Sequence, residues 1–235
     1  GGMEEDGIES NYPAEFRTRE TPKMMLSEGA ASHTLAQTCT LTSGGSVLAS
    51  RIGALSLMAS GSARDGKRAS SFNDAGGQTH DLAAKPAQAH FGIEAMMRES
   101  ERQVDPSALK DHFTGDVVLT PYAVVDLLDW FQSQISDDRL IAGTSLYARR
   151  VGQAIASPLL HLHSRFDAPG VAAISADAFA TPALAVLAGG VLRSLTPSLY
   201  GSRKTGLPHV PVASGGWSIA AGSTPLADLL RGVTR

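Results

Sequence analysis

Cysteine is nearly absent from this sequence: Cys39 is the only one in 235 residues. A single thiol excludes an intrachain disulfide and every zinc or iron–sulfur site that needs several cysteines from one chain. Set among Thr38, Thr40 and Leu41, it reads as a small buried apolar residue rather than a nucleophile. Aromatic residues are few, at 6%. Charge imbalance is small too: 20 Lys and Arg against 23 Asp and Glu leave a net charge of -3. Such a balance creates no field that draws the chain to nucleic acid or to an anionic membrane, so neither is expected as a partner. Long hydrophobic runs are missing as well. The most apolar stretch, 170–192, is interrupted by Asp177, Pro182 and Gly189-Gly190, which suits strand, turn and strand better than a membrane span of about 20 residues. The start carries no basic, then apolar, leader. Met3-Glu4-Glu5-Asp6 is acidic and follows Gly1-Gly2, a cloning remnant by its look, and the expected compartment is the cytoplasm.

What is present is alanine, serine, threonine, valine and leucine, punctuated by 24 glycines and 12 prolines. This mix predicts short elements and many turns in an α+β fold, mostly antiparallel strands with a few amphipathic helices. Residues 1–26 lack any periodicity and read as an irregular arm. Over 35–64 short apolar runs flank Ser43-Gly44-Gly45 and lead to Asp65-Gly66, two turn signals that predict a meander. Residues 71–81 read as a loop. His90, Ile93, Met96 and Met97 then recur at helical spacing and end before Asp105-Pro106. Val117-Val118-Leu119 predicts a short strand. Thr120 as N-cap and Pro121 at the first helical position open the plainest helix, with Val124, Val125, Leu127, Leu128, Phe131 and Ile135 as a broad apolar face. A short helical segment is expected over 145–154. After Pro158 strands return, with Leu160 and Leu162 alternating with His161 and His163, a β-prone run over 171–174, and a hairpin at Ala188-Gly189-Gly190. Residues 208–222 read as a loop before a last helix capped by Thr224 with Pro225 at its first position.

Several common chemistries are excluded by the letters. There is no G-x-x-x-x-G-K-[ST] phosphate cradle, no G-x-S-x-G nucleophile turn and no H-E-x-x-H. No two of the seven histidines stand four apart. His161 and His163 alone form a pair, and on a strand that spacing puts both rings on one face, where two nitrogens could share a metal. The plainer reading is a polar stripe whose opposite face is Leu160 and Leu162, since no third ligand lies nearby in sequence. Arg64, Lys67 and Arg68 flank a turn, and Asp126, Asp129, Asp137 and Asp138 decorate the strong helix and its exit. Solvation accounts for both sets.

The order of these stretches resembles the TldD/PmbA family, once called modulators of DNA gyrase, and within it the PmbA/TldE branch. The resemblance runs over about 27–230. Ser27-Glu28-Gly29-Ala30 opens it, and Thr42-Ser43-Gly44-Gly45 is similar to the family's Asn-Ser-x-Gly turn. Gly115 through Pro121 resembles the strand entering the main helix of the C-terminal domain. Gly143-Thr144-Ser145-Leu146, Val151-Gly152-Gln153, Gly190-Val191-Leu192 and the run through Tyr200, Arg203 and Thr205-Gly206-Leu207 follow in family order.

The resemblance implies a fold like that family's C-terminal domain over 27–235, shortened at both ends relative to the family. It also implies a partnership, because TldD-type subunits carry a zinc-binding His-Glu-x-x-x-His helix and work with PmbA-type subunits on unfolded or modified peptides. The helix here reads Tyr122-Ala123-Val124-Val125-Asp126-Leu127-Leu128 in that place, without histidine or glutamate. The expectation is therefore a non-catalytic subunit with no catalytic residue, metal ligand or cofactor of its own, partnered by a TldD-like zinc peptidase subunit or by itself. A second departure is Ile174-Ser175-Ala176-Asp177-Ala178, where the family has Phe-Asp-x-Glu-Gly. Two readings compete with this one: an independent metal-dependent hydrolase with His161, His163 and Asp177 as ligands or base, and a non-enzymatic binding module.

Overall fold

Glycine and Asp-Gly turns decide where the first strands reverse. β1 (Met24–Leu41) and β2 (Val47–Asp65) are joined through Thr42–Ser46, where Gly45 has a φ of 89° and the Gly45 amide donates to the Thr42 carbonyl at 3.0 Å. Ser32 meets Ser56 and Thr38 meets Ser50 through hydroxyl hydrogen bonds of 2.5 and 2.6 Å, so advancing along β1 means retreating along β2. Cys39, expected to be buried, is exposed on this stretch of β1. Gly66, at a φ of 61°, then turns β2 into β3 (Arg68–Ala69), with Asp65 opposite Arg68. The computed structural model describes residues 23–108, 112, 114–213 and 215–233. Most of the expected N-terminal arm lies outside them, and from Met24 onward its last residues are β1.

The chain divides into two compact units, Gly1–Ala36 with Ile52–Lys110 and Gln37–Arg51 with Asp111–Arg235. In the first, 73–79 is a strand, β4 (Asn73–Thr79), antiparallel to β2 with Met58 opposite Gly76. The sequence reading made it a loop because Asn, Asp, Gly-Gly and Gln are poor strand formers. Its glycines serve close approach instead of a turn. A Cβ on Gly76 would sit 2.8 Å from the Met58 Cβ and 2.9 Å from the Leu57 carbonyl oxygen, and one on Gly77 would sit 2.6 Å from the Phe91 ring. α1 (Ile93–Arg102) packs its Ile93 and Met97 into a core with Met24, Leu57, Ala59, Ala63, Ala75 and Ala87. His90 precedes this helix rather than joining it. It is buried, with Nε2 3.0 Å from the carbonyl oxygens of both Leu82 and Lys85. Protonated there, Nε2 offers one N–H that the two loop carbonyls share.

In the second unit α2 (Pro121–Ile135) begins as the Thr120-Pro121 signal requires, the Thr120 hydroxyl accepting from the Ala123 amide at 3.4 Å. Its apolar face is narrower than the sequence suggests. Phe131 and Ile135 are buried, while Val125 and Leu127 are about half exposed at 51% and 53%. The run 117–119 forms no strand, and Val117 and Leu119 are exposed. The expected helix over 145–154 is a series of turns, because Gly143 and Gly152 adopt φ of 69° and 85° that α-helix does not allow. A short α3 (Asp137–Ile141) follows α2 instead.

A four-stranded antiparallel sheet then forms in the order β7-β6-β5-β8. β5 (Leu162–Ser164) pairs with β6 (Leu184–Ala188) and with β8 (Trp217–Ile219); β7 (Val191–Leu192) returns through Gly189-Gly190, at φ of 57° and 71°. Residues 171–174 form no strand; Ile174 makes a bridge to Ala180, and the Thr181 amide donates to the Ala173 carbonyl at 3.0 Å. β8 lies inside the stretch read as a loop. Leu162, Val186, Leu187, Leu192 and Leu195 join Phe131, Ile135 and Leu140 in this unit's core. α4 (Leu199–Thr205) lies between β7 and β8 in sequence, closed by Gly206 in the left-handed region. α5 (Leu226–Gly232) starts one residue later than expected, with Pro225 as its N-cap and no side-chain capping bond from Thr224. No helix among the described residues is long and apolar enough to cross a membrane.

Candidate functional site

The second unit offers three places for chemistry: the exposed face of α2, the histidine stripe on β5, and the turn that carries Asp177. On α2 the stretch Tyr122–Leu128 contributes one acidic group, Asp126, which is exposed. A tetrahedral zinc site draws on imidazole, thiolate or carboxylate donors converging from several positions. One exposed carboxylate without a histidine does not fit a zinc ion. Among the described residues no group of three His, Cys, Asp or Glu side chains converges as a metal site requires.

Around β5 Leu162 and Ser164 are buried, while His163 on the strand and His161 just before it are half-buried, with an irregular register against β6 between Leu162 and His163. His161 has local work. Its Nδ1 accepts from the Gly189 amide at 3.3 Å and its carbonyl accepts from the Ala220 amide at 3.1 Å. A neutral ring in that role carries its proton on Nε2. The bond ties β5 to the β6–β7 turn, where a left-handed glycine leaves its N–H in need of an acceptor. His163 sits opposite Ala185 on β6 and Ser218 on β8, so its register partners bring no further metal donor.

Asp177 is elsewhere, on a tight turn. The Ser175 amide donates to the Phe179 carbonyl at 2.8 Å, the Ala178 amide donates to the Ser175 carbonyl at 3.0 Å, and the Ser175 hydroxyl accepts from the Phe179 amide at 3.2 Å. Ala178 has a φ of 63°. It occupies the place where the resembling family has glycine, the residue that adopts this left-handed conformation most readily. Asp177 Oδ2 accepts from the Leu199 amide, the first residue of α4, at 2.9 Å and lies 3.4 Å from His209 Nε2. His209 packs edge-on against Phe179, with ring centroids 4.7 Å apart.

A second carboxylate joins the same helix start. Asp137 accepts from the Ser198 amide at 2.8 Å and, through its other oxygen, from the Ser198 hydroxyl, which in turn accepts from the Gly201 amide at 3.1 Å. Two anionic side chains on the first amides of one helix complement its unsatisfied N–H groups and its dipole. Gly201 is confined by this arrangement, because any Cβ there would collide with the Asp137 carboxylate. The arrangement fastens α4 between α3 and the 175–179 turn.

The structure thus leaves His161 just before β5 and His163 on it and brings Asp177 to His209 and α4, so the three residues named from sequence do not form one group. Asp137, Ser198 and His209 were missed. Ser198 followed by Leu199-Tyr200-Gly201 and closed by Gly206 is a capped short helix in its letters. Nothing local points to His209 or Asp137, whose partners come from distant segments.

Comparison with known proteins is consistent with this layout. Residues 113–235 match the sequence model of the PmbA/TldA metallopeptidase C-terminal domain. Among solved structures, a protein from Bacteroides thetaiotaomicron named a modulator of DNA gyrase is 16% identical with a TM-score of 0.75, over 94% of this chain and 51% of that one. Another protein so named, from Thermotoga maritima, is 17% identical with a TM-score of 0.70, over 92% and 52%. TldE from Thermococcus kodakarensis is 16% identical with a TM-score of 0.69, over 95% and 53%. The chain therefore spans about half the length of the solved proteins it matches. No curated protein matches it.

Proposed function

This chain belongs to the PmbA/TldD metallopeptidase family, and from that premise we propose that it is a PmbA/TldE-like, non-catalytic subunit. It supplies part of a peptide-accepting assembly, and a TldD-like partner holds the zinc and cleaves. Unfolded or modified peptides in the cytoplasm are the substrate class. The observation that carries this reading is α2: in the place of the zinc-binding helix it reads Tyr122–Leu128, with no histidine or glutamate to ligate a metal or activate a water. The carboxylates of Asp137 and Asp177 suit the same reading, because both are engaged in fastening α4.

The test combines metal analysis with co-purification. The isolated chain is expected to hold no stoichiometric zinc and to hydrolyse no peptide. Co-expressed with a TldD-like subunit, it should co-purify in a complex whose peptidase activity a chelator abolishes. Stoichiometric zinc in the isolated chain would overturn the proposal. So would a TldD-like subunit whose binding and activity were indifferent to this chain.

A further inference from the structure

A buried polar atom gives up its hydrogen bonds to water and as a rule finds a partner within the protein. His209 Nε2 is buried and has no hydrogen-bond partner among the described residues. Asp177 Oδ2 lies 3.4 Å from it, but that oxygen already accepts from the Leu199 amide at 2.9 Å, and 3.4 Å is long for an N–H···O bond. A neutral ring draws little from this placement. With its proton on Nδ1 it turns a lone pair toward a carboxylate, and with its proton on Nε2 it makes only the long contact. A protonated ring sets a positive charge beside a negative one. Both side chains are mostly buried, at 17% and 25% exposure, so solvent screens the pair less than it screens a surface one.

We infer that His209 is a proton-operated latch on the start of α4. Charged, its ring pairs with Asp177 and holds the 175–179 turn, α4 and the 207–213 segment to one another; neutral, it lets the pair go. The three segments already meet there: the Leu199 amide on Asp177, the Val210 amide on the Pro197 carbonyl at 3.1 Å, and the Phe179 ring against His209. The surrounding charges leave the pairing to Asp177. It is the one titratable group of 175–179, and 207–213 has none besides His209. Asp137, from α3, is engaged by the Ser198 amide and hydroxyl, and its neighbours Asp138 and Arg139 are exposed. On α4 itself Arg203 and Lys204 belong to the last turn, and Lys204 Nζ lies over the exposed Tyr200 ring at 5.5 Å. Stability from the pair needs both charges. It is present between about pH 4, where aspartate ionises, and about 6.5, where histidine gives up its proton, and it fades as the pH rises further.

Amide hydrogen exchange and urea unfolding of the whole chain at about pH 5.5 and about pH 8, toward the two ends of the histidine range, test the inference beside His209→Gln, Asp177→Asn and the double variant. With exchange corrected for its intrinsic pH dependence, the advantage of the parent over His209→Gln in protecting the Leu199 and Val210 amides should be about threefold larger at the lower pH. Asp177→Asn should lose the same pH-dependent part with the histidine in place, and the double variant should lose no more of it than either single one. The urea midpoints should follow the same order. A parent advantage that is equal at the two pH values, or larger at the higher one, would overturn the inference. So would a pH-dependent effect of His209→Gln that persists on the Asp177→Asn background, because the ring's charged partner would then lie elsewhere. The two single variants read one pair from opposite sides, so if either fails to fold the other still decides. No readout here involves zinc or peptide cleavage, so the latch and the proposed function fail separately.

Discussion

The two units hold antiparallel strands of very different length together. In the first, alanines line the core, at Ala59, Ala63, Ala75 and Ala87, and glycines let β4 close on β2 until the Cβ site of Gly76 lies 2.8 Å from Met58. In the second, the strands are short and the core is made of Leu162, Val186, Leu187, Leu192, Phe131 and Ile135. Close backbone approach at Gly76 works beside buried Met24, Leu57 and Ile93 in the first, whereas buried leucines hold strands of two to five residues in the second. The difference locates one sensitive point in each unit: added atoms at Gly76 in the first, removed ones at Leu192 in the second.

The largest effect should come from removing volume in the second unit. Leu192 is fully buried on β7, and its backbone bonds to both Gly152 and Gln153. Leu192→Ala leaves a cavity in the core beneath a two-residue strand, and should cost about 3–5 kcal/mol in urea unfolding. A loss below about 1 kcal/mol would mean that the short sheet does not depend on side-chain volume, and the contrast between the units would collapse.

Adding one carbon to the first unit comes next. Gly76→Ala forces a methyl group against the Met58 Cβ and the Leu57 carbonyl, neither of which can swing aside as a side-chain tip would. The expected cost is about 2–3 kcal/mol, as for other overpacked sites, and hydrogen exchange should show β4 amides opening while the second unit stays protected. An unchanged unfolding midpoint would show that β4 can shift without loss.

These two positions also mark what the letters could and could not reveal. Ser43-Gly44-Gly45, Asp65-Gly66, Gly189-Gly190 and Thr120-Pro121 were legible because each determines its own local geometry. Gly76-Gly77 has the letters of a turn and is the middle of a strand, because the reason for those glycines lies on β2 and at Phe91. Val117-Val118-Leu119 has the letters of a strand and pairs with nothing among the described residues. The candidate site divides in the same way. The absence of His and Glu from Tyr122–Leu128 is a property of the sequence alone. The fastening of α4 by Asp137 and Asp177 depends on contacts that only the tertiary structure brings together.

Ala178 allows the comparison to be sharpened by a gain instead of a loss. Its φ of 63° is imposed by the Ser175–Phe179 turn that aims Asp177 at α4. A non-glycine residue in the left-handed region costs about 1–2 kcal/mol, and the extra freedom of glycine in the unfolded chain takes back about 0.4–1. Ala178→Gly should therefore stabilise the protein by about 0.5–1 kcal/mol, visible as a higher midpoint in urea, with the Leu199 amide at least as well protected from exchange. Destabilisation would mean that the alanine methyl has a packing role that outweighs its strain.

The smallest effect concerns two exposed ion pairs, one in each unit. Lys23 and Asp65 meet at 2.8 Å and join the start of β1 to the end of β2, while Arg165 and Asp167 are two residues apart. In each pair the mutual hydrogen bond is the main cause that lowers the aspartate pKa and raises that of the base. A carboxylate with a lowered folded pKa contributes stability above its unfolded value, about 3.9, and loses it as the pH falls through the folded one. A lysine with a raised pKa contributes below about 10.4 and loses it as the pH rises through its folded value. The effect of Asp65→Asn should thus be constant between about pH 5 and 9 and fade on either side. Being solvent-exposed, it should be small and weaker still in high salt. The Arg165–Asp167 pair can form as readily in the unfolded chain, since two residues separate its members, so Asp167→Asn should move the urea midpoint less than Asp65→Asn. Equal shifts for the two variants would show that closing the long β1–β2 ribbon draws nothing from its ion pair beyond what a local contact supplies.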